Sequence, residues 1–588
     1  MSTPHVQARE DVRARARITL DALRVGRDTA TTSEAAPAPP TTPPVEAAES
    51  APRKSQSTRL VDLALAAGVE LWHSPAGDPH VTLSADGHRE HYRLNTSAVR
   101  DWLARRHHAE TRCVPGSQAI ADALAVLSGM ARYDGTEHAT AVRVAGGHTA
   151  VYLDLGDPTW AAVEATPAGW RVVTDPPIRF VRSRGMLALP QPVCGGSIDQ
   201  LRALIHLASD GDYRLLVGWL LGAMRPAGPY PLLSFVGEQG TGKSTAARCV
   251  RRLIDPHVAE LRAEPRSIDD IMIAATRSRV VALDNLSHLA PWLSDALCRV
   301  STGGALTKRE LYSNDDETII EAVRPTIVTS IADIVTRGDL LDRAITVTLP
   351  VLPDGDRLPE AELWRRHDAA VAGILGALLD GVVSALVRER AIRIDALPRM
   401  ADWAIWVTAA EPGLGWPEHS ILSAYRTMRG AAIEATLDGD PLAVAVCGLS
   451  RPWEGTAAEL LTRITPVGRL PRGWPESPRA MSAALRRLAP GLRRLAIEIS
   501  NYKEAGTGGR RLIAIATAEN GPDKPSPPSP PPRGRDSVGD FGDGQGDDRR
   551  SPASPDQSHI SGSCDRGDGC DGFGPISSTE DTDHAGLF

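Results

Sequence analysis

The sequence predicts an α/β protein built around a central parallel sheet, and two observations support this prediction. Residues 231–350 alternate short apolar runs with helical patterns, as expected for parallel strands joined by crossover helices. The run at 231–236 leads straight into a glycine-rich loop, and a helical pattern begins after it. At 588 residues the chain is long enough for several domains, each with its own core.

Composition and patterning divide the chain into six segments. The two ends are rich in Pro, Ala, Ser, Gly or Asp and poor in core-forming side chains, so we expect them to be disordered. The predicted segments are a disordered arm (1–56), an α+β N-terminal domain of unknown role (57–200), the parallel-sheet core (201–352), a helical domain (353–440), a compact basic module (441–518) and a disordered acidic tail (519–588).

The net charge of −8 is concentrated at one end of the chain. Residues 519–588 hold 14 Asp/Glu against 6 Lys/Arg, which accounts for the whole excess. Residues 441–518 hold 12 Arg/Lys against 5 Asp/Glu and are therefore basic. The overall acidity does not exclude a nucleic-acid partner for the folded part.

The chain lacks the patterns of secreted or membrane proteins. Its N-terminus is polar, and its apolar runs, such as Leu215 to Met224, are too short to span a bilayer. The seven cysteines show no CxxC spacing, and Cys564 and Cys570 have no histidine at ligand distance, which argues against a zinc site. We expect a cytoplasmic protein with reduced thiols and no membrane partner.

The glycine-rich loop has the spacing of a phosphate-binding P-loop between a strand and a helix. Its glycines allow backbone N–H groups to surround phosphates, and the N-terminus of the next helix favours negative charge. We expect Lys243 to reach the β- and γ-phosphates of ATP and Ser244 to bind Mg²⁺. The predicted nucleotide-binding residues are Gly237, Glu238, Gln239, Gly240, Thr241, Gly242, Lys243, Ser244 and Thr245.

A second apolar strand, Arg279 to Leu283, ends in Asp284 and Asn285. An acidic residue at this place is expected to hold Mg²⁺ through water, so Asp284 joins Ser244 as a predicted metal ligand. Asn285 is a predicted catalytic residue that orients water, but its amide cannot accept a proton as a glutamate would. The alternative is an ordinary core strand that ends in a turn-forming Asp-Asn pair.

Further motifs follow in order. Residues 301–312 combine a Gly-Gly turn with the basic pair Lys308 and Arg309, and a charged stretch comes after them at 315–317. The strand Arg324 to Ser330 ends in the hydroxyls of Thr329 and Ser330. Arg343 lies just before another apolar strand, which continues to Pro350.

This series of motifs, over roughly residues 230–350, resembles the superfamily 3 helicases, the AAA+-related, primase–helicase-type ATPases of phages, plasmids and integrated elements. The resemblance implies a homo-oligomeric ring that passes single-stranded DNA through its centre. It implies a DNA-gripping hairpin with Lys308 and Arg309, and a sensor at Thr329 and Ser330. It also implies that Arg343, or Arg337 in its place, is a catalytic finger directed at the ATP of a neighbouring subunit.

Two departures from that family and two simpler interpretations stay open. The family usually has Asn at the sensor position and paired acids where this chain has Asp284-Asn285, so the rate of hydrolysis is in question. Lys308 and Arg309 could form a solvated strand face that pairs with the acids at 315–317. Arg343 could be a surface residue paired with Asp339 or Asp342.

The basic module 441–518 is similar to a winged helix-turn-helix. One helix covers residues 456–464, and a second begins at Ser477-Pro478 with Pro at the first helical position. Strands at 495–499 and 511–516 flank a Gly-rich tip. The resemblance implies contacts with duplex DNA, for which the candidates are Arg486, Arg487, Lys503 and Arg510. The alternative is an arginine-rich protein-binding domain.

The N-terminal domain is predicted to begin with a helical pattern from Leu60 and to contain strands at 150–153 and 170–173, but it offers little functional signal. Asp154 and Asp157 could belong to a metal-binding primase centre, but no third ligand is recognisable, and we expect a surface turn instead.

The expected function is therefore that of an ATPase, as a DNA helicase or translocase in replication of a mobile element. The alternative is an ATP-regulated DNA-binding switch without unwinding activity. A small-molecule kinase would leave the basic module unexplained.

Overall fold

The structure is a computed structural model and describes residues 54–304, 306–309, 317–320, 322–335, 338–353, 355, 357–471, 473–504 and 509–517. Within these ranges the chain is mixed α/β, as predicted, and it includes a four-stranded parallel sheet. The predicted acidic tail, Cys564, Cys570, Arg337 and all but residues 54–56 of the predicted arm lie outside the described residues.

The first folded part packs three helices on a four-stranded sheet. The strands lie in the order β3-β2-β1-β4, with β1 antiparallel to β2 and parallel to β4. The helical pattern predicted from Leu60 is confirmed, and Leu60, Leu103 and Leu127 anchor the core below the sheet. The elements are α1 (Gln56–Ala66), β1 (Glu70–His73), β2 (Pro79–Ala85), β3 (His88–Arg93), α2 (Ser97–Thr111), α3 (Ser117–Tyr133) and β4 (Thr136–Glu137).

An antiparallel meander follows, in the order β6-β7-β8-β9, beside a short parallel pair of β5 and β10. The strands predicted at 150–153 and 170–173 are confirmed as β7 and β9. The elements are β5 (Thr140–Ala141), β6 (Val144–Gly146), β7 (Val151–Asp154), β8 (Ala162–Thr166), β9 (Gly169–Val173) and β10 (Arg179–Phe180).

The surface turn expected around Asp154 is wrong for that residue. Asp154 is buried at the end of β7 and accepts two hydrogen bonds from Arg182, at 3.0 and 2.6 Å. The Arg182 guanidinium lies over the Trp160 ring, 4.1 Å from its centroid. Asp154 therefore belongs to a buried ion pair, and no cluster of three potential metal ligands exists among the described His, Cys, Asp and Glu residues.

The central sheet has four parallel strands in the order β12-β15-β11-β16. Its strands alternate along the chain with helices, as the sequence predicted. The elements are a 3-10 helix (Ile198–Ala203), α4 (Asp210–Ala223), β11 (Leu232–Val236), α5 (Lys243–Ile254), α6 (Ile268–Arg277), β12 (Val281–Leu286), α7 (Pro291–Thr302), β13 (Leu306–Arg309), β14 (Glu317–Ile320), β15 (Thr326–Ser330), α8 (Gly338–Leu341) and β16 (Ala344–Thr348).

Side chains alternate between the two faces of this sheet, and each face has its own core. Leu233, Phe235 and Ile345 join a large core with α4 and α5, whereas Leu232 and Val328 join a core with α6 and α7. The large core also contains residues of the meander and of the helical region, so it extends across the boundaries predicted at 200 and 352. The exact domain limits stay predictions.

The helical character predicted for 353–440 is confirmed. This region comprises α9 (Glu360–Arg388), a 3-10 helix (Glu389–Ala391), α10 (Ala401–Ala410), a 3-10 helix (Glu411–Leu414) and α11 (Ser420–Asp438). By length and apolar composition alone, α9 with the 3-10 turn after it could cross a membrane. However, 61% of its most apolar window is buried inside the fold, as expected for a core helix.

The last described part is a small helical unit closed by a three-stranded sheet in the order β17-β19-β18. The two predicted helices and two predicted strands are present, and α12 and β17 were not predicted. Thr456 forms a capping box with Glu459, and Ser477 caps the second helix at Ala480 N. The elements are α12 (Pro441–Cys447), β17 (Trp453–Gly455), α13 (Ala457–Ile464), α14 (Pro478–Arg494), β18 (Ile497–Lys503) and β19 (Arg511–Thr517).

Candidate functional site

The glycine-rich loop joins the carboxyl end of β11 to the first residue of α5, Lys243. Gly240 and Gly242 have φ angles of 85° and 81°, in the left-handed region that favours glycine. A Cβ atom at Gly237 would lie 2.5 Å from the carbonyl oxygen of Leu349, so a larger residue does not fit there. The loop conformation therefore depends on glycine at all three positions.

Lys243 directs its ammonium group into the loop that precedes it. Its Nζ donates to the carbonyl oxygens of Gly237 and Glu238 at 2.8 and 2.6 Å. Burial lowers the pKa of Lys243 below its usual value, and the nearby Asp284 carboxylate opposes that shift. The loop thus contains a cation surrounded by backbone groups and close to one acidic side chain.

Asp284 is the centre of a hydrogen-bonded chain that joins three consecutive motifs. Ser244 Oγ donates to Asp284 Oδ1 at 2.8 Å, and Thr329 Oγ1 donates to the same oxygen at 2.6 Å. The carboxyl ends of parallel strands meet at one edge of a sheet, where α/β proteins bind their ligands. The structure thus brings together four predicted site residues: Lys243, Ser244, Asp284 and Thr329.

Asn285 and Ser330 contribute differently from their neighbours. The Asn285 backbone N–H donates to Thr329 Oγ1 at 2.8 Å, and its φ of 55° interrupts the strand. Its side chain is exposed. The Ser330 hydroxyl is buried and has no hydrogen-bond partner among the described residues. Of the two predicted sensor residues, Thr329 is the one that contacts Asp284.

Arg343 lies far from the loop of its own chain. It immediately precedes β16, whose first residue pairs with Leu232 and whose last pairs with Val236. Arg343 is therefore at the amino end of the sheet, about 16 Å from the loop at ~3.3 Å per strand residue. Its side chain is 12% exposed and forms an ion pair with Asp339, which also contacts Arg399 at 3.1 Å. The pairing with Asp339 matches one earlier alternative, although Arg343 is not a surface residue.

The predicted hairpin is present in the backbone between α7 and β15. β13 pairs with β14 in antiparallel register, and Lys308 and Arg309 lie opposite Thr318 and Glu317. The acidic residues 315 and 316 lie outside the described residues. The hairpin is thus confirmed, and its contact with DNA stays a prediction.

The basic candidates of the last unit lie on two surfaces. Arg486 and Arg487 are exposed on α14, where Arg487 is 3.9 Å from Asp440. Lys503 ends β18, and Arg510 pairs with Glu459 at 2.7 Å. Arg479, Arg493 and Arg494, which were not among the predicted DNA-binding residues, are also exposed on α14. Since α14 contains five arginines and no acidic residue, its exposed side is uniformly basic.

Two parts of the chain match models of known protein families. Residues 198–430 match the family model of the actinomycete integrative conjugative element replication protein. Residues 442–530 match the RepA C-terminal domain of the same family, so the two matches together span more than half of the chain. The chain belongs to this replication-protein family. The predicted role in replication of a mobile element is thereby confirmed, and residues 54–197 match neither model.

Two apo structures of the NrS-1 C-terminal region cover 79% of this chain and 100% of their own, at 14% and 12% identity. Their TM-scores of 0.33 and 0.35 are too low to support an argument. None of the curated proteins compared matches the chain.

Proposed function

We propose that this replication protein is an ATP-dependent DNA helicase or translocase that serves replication of its conjugative element. The observation that supports this best is the hydrogen-bonded chain Ser244–Asp284–Thr329 beside the Lys243 loop. These side chains come from three separate motifs, and an ordinary core strand would not need them at one point. Their arrangement suits a bound nucleoside triphosphate with its metal ion.

Phosphate binding follows from the loop itself. Backbone N–H groups of residues 237–242 and the N-terminus of α5 supply fixed positive dipoles. Lys243 adds the one full positive charge, and it can exchange its bonds to Gly237 and Glu238 for bonds to phosphate oxygens. ATP would be held mainly by its β- and γ-phosphates.

The residues present fit Mg²⁺. The hydroxyl of Ser244 and the carboxylate of Asp284 are hard oxygen ligands that already lie 2.8 Å apart. Mg²⁺ commonly uses one or two protein oxygens and completes its octahedron with water and phosphate, so no larger acidic cluster is required. The ion would neutralise phosphate charge, while Thr329 keeps the Asp284 carboxylate oriented through its bond of 2.6 Å.

The position of Arg343 supports a site shared between subunits. At the amino end of the sheet it cannot reach the loop of its own chain, but it could approach the loop of a neighbour. An arginine there would stabilise the charge that develops on the γ-phosphate. Arg343 would first have to break its ion pair with Asp339, and Asp339 would keep its ion pair with Arg399. We therefore propose a homo-oligomeric ring.

DNA would contact two surfaces. The hairpin of β13 and β14 would place Lys308 and Arg309 against single-stranded DNA in the ring. The basic side of α14, with a β18–β19 wing, would bind duplex DNA in the manner of a winged helix. Arginine–phosphate contacts would dominate the affinity of this second surface.

One observation favours a second candidate, an ATP-regulated DNA-binding switch. Position 285 is an asparagine with an exposed side chain, and an amide cannot take a proton from water. ATP occupancy would then set assembly without unwinding.

Steady-state ATP turnover with and without single-stranded DNA, combined with an unwinding assay, separates the two. If the protein is a helicase, single-stranded DNA must stimulate its ATP turnover, and Lys243→Ala must abolish that turnover. A helicase also requires that Lys308→Ala with Arg309→Ala keeps ATP binding and assembly but loses stimulation and unwinding. ATP binding without turnover would favour the switch. Wild-type nucleotide affinity in Lys243→Ala would refute the nucleotide site itself.

A further inference from the structure

A short segment between α5 and α6 runs along the free side of β12. The backbone N–H of Arg262 donates to Ala282 O at 2.9 Å, and the N–H of Asp284 donates to Arg262 O at 2.8 Å. These bonds form a parallel bridge in which Arg262 lies opposite Leu283. The segment therefore pairs with the free edge of β12 at one residue. Because the bridge is parallel, the chain after Arg262 runs toward the edge of the sheet at which the glycine-rich loop lies.

Glu264 is two residues beyond this bridge. On β12, Asn285 is also two residues beyond the bridge, at the point where its φ of 55° interrupts the strand. Pro265 is buried and follows directly, and a residue before proline is disfavoured in the helical region, so the extended direction continues through Glu264. Neighbouring strands lie about 4.8 Å apart, so the bridge at Arg262 places Glu264 at the same edge of the sheet as Asn285, the position where a catalytic acid is missing.

The Glu264 carboxylate is also available. Its side chain is exposed, and within the described ranges it makes no hydrogen bond or ion pair. Two other carboxylates near this edge are less suitable. Asp284 is engaged by Ser244 and Thr329, and Asp333 accepts a bond from Val335 N at 2.9 Å, beyond the end of β15.

We propose that Glu264 is the general base for ATP hydrolysis, in place of an acid at position 285. The proposal rests on the proposed function. A water oxygen attacks the γ-phosphorus and forms a new P–O bond, while the bond from that phosphorus to the β–γ bridging oxygen breaks and ADP leaves. The water proton passes to the Glu264 carboxylate and is then released to solvent. Asn285, on the neighbouring strand, orients the same water by hydrogen bonding.

The test compares Glu264→Gln with two other variants of the full-length chain. Loss of a positioned general base typically lowers turnover by about 10²–10⁴-fold. We expect Glu264→Gln to lower kcat at least ~100-fold, with the Kd for ATP and the Tm nearly unchanged. Glu260→Gln is the matched control, because this glutamate is on the same segment but pairs with Arg252. Its turnover should stay near that of the wild type.

A rescue variant makes the test specific. Asn285→Glu in the Glu264→Gln background puts a carboxylate back at the same place and should recover part of the lost turnover, which a purely structural role would not predict. Undiminished turnover in Glu264→Gln would overturn the assignment and leave the proposed ATPase intact. If Asp333→Asn loses turnover and Glu264→Gln does not, the general base is Asp333. No turnover in the wild type would reject the ATPase itself, and this inference with it.

Discussion

Thr329 is the residue whose replacement tests the candidate site most directly. Thr329→Val keeps nearly the same shape but removes the hydroxyl that donates to Asp284 and accepts from the Asn285 N–H. The side chain is 1% exposed, so water cannot easily take over either bond. The substitution therefore leaves one carboxylate less well held and one backbone donor without its acceptor.

The expected cost follows from those two bonds. A hydrogen bond to a charged group contributes about 1.5–3 kcal/mol, and a buried donor left unpaired costs about 1–3 kcal/mol. Because Asp284 keeps its bond to Ser244, we expect Thr329→Val to lower the free energy of unfolding by about 3 kcal/mol in total. For a unit of 150–250 residues this corresponds to a fall in Tm of about 6–12 °C.

Thr326 on the same strand provides the matched control. It is equally buried, but its hydroxyl makes only one bond, of 3.3 Å, to Arg324 O. Thr326→Val should cost about 1 kcal/mol or less. Thr329→Ser, which keeps the hydroxyl, should retain most of the stability of the wild type.

Thermal unfolding and ATP turnover are the assays. Thr329→Val should lower kcat more than ATP affinity, because the Asp284 carboxylate loses its orientation while the Lys243 loop is intact. Equal Tm and equal turnover for Thr329→Val and Thr326→Val would refute the reasoning, since the two variants differ only in the contacts that the hydroxyl makes.

Three further predictions concern other parts of the chain. Arg343→Ala should lower turnover with ATP binding intact, and mixing it with Lys243→Ala should restore some activity; no recovery after subunit exchange would contradict a shared site. Arg486→Ala with Arg487→Ala should reduce the salt dependence of duplex binding by a log–log slope of about 1–2, whereas an unchanged slope would exclude this surface. Burial lowers the pKa of His91 to about 3, so the folded protein keeps it neutral while the unfolded chain protonates it below about 6.5. This histidine should therefore make unfolding easier by about 2 kcal/mol at pH 5 than at pH 7, and in denaturant titrations His91→Gln should reduce the pH dependence of unfolding by about that amount.

Local patterns predicted much of the fold. The strand–loop–helix at 231–254 was visible because an apolar run, three glycines and a helical period follow one another in sequence. The second helix of the last unit was visible because Ser477-Pro478 is a strong helix start. In both places the information lies in one short stretch of consecutive residues, and tertiary packing agrees with local preference.

The unpredicted features depend on contacts between distant residues. Asp154 was expected at the surface, but Arg182, far along the chain, pairs with it and allows its burial. The segment at Arg262 forms only a single bridge to β12, too short to produce a periodic pattern. β17, which is three residues long, is likewise too short to produce a periodic pattern. The residues of the glycine-rich loop are consecutive in sequence, whereas the bridge that brings the Arg262 segment to β12 could be found only in three dimensions.

The Lys243 loop and Arg343 lie at opposite ends of the central sheet. The loop follows the carboxyl end of β11, and Arg343 precedes the amino end of the adjacent β16, so a rigid sheet keeps Arg343 about 16 Å from the loop of its own chain. A reaction that uses both must therefore combine loops and arginines from different copies. Turnover per chain should then rise with protein concentration until assembly is complete, and DNA that promotes assembly should shift this dependence to lower concentration. A turnover number independent of concentration in the dilute range, at which the protein is monomeric by mass, would mean that Arg343 serves only its ion pair with Asp339.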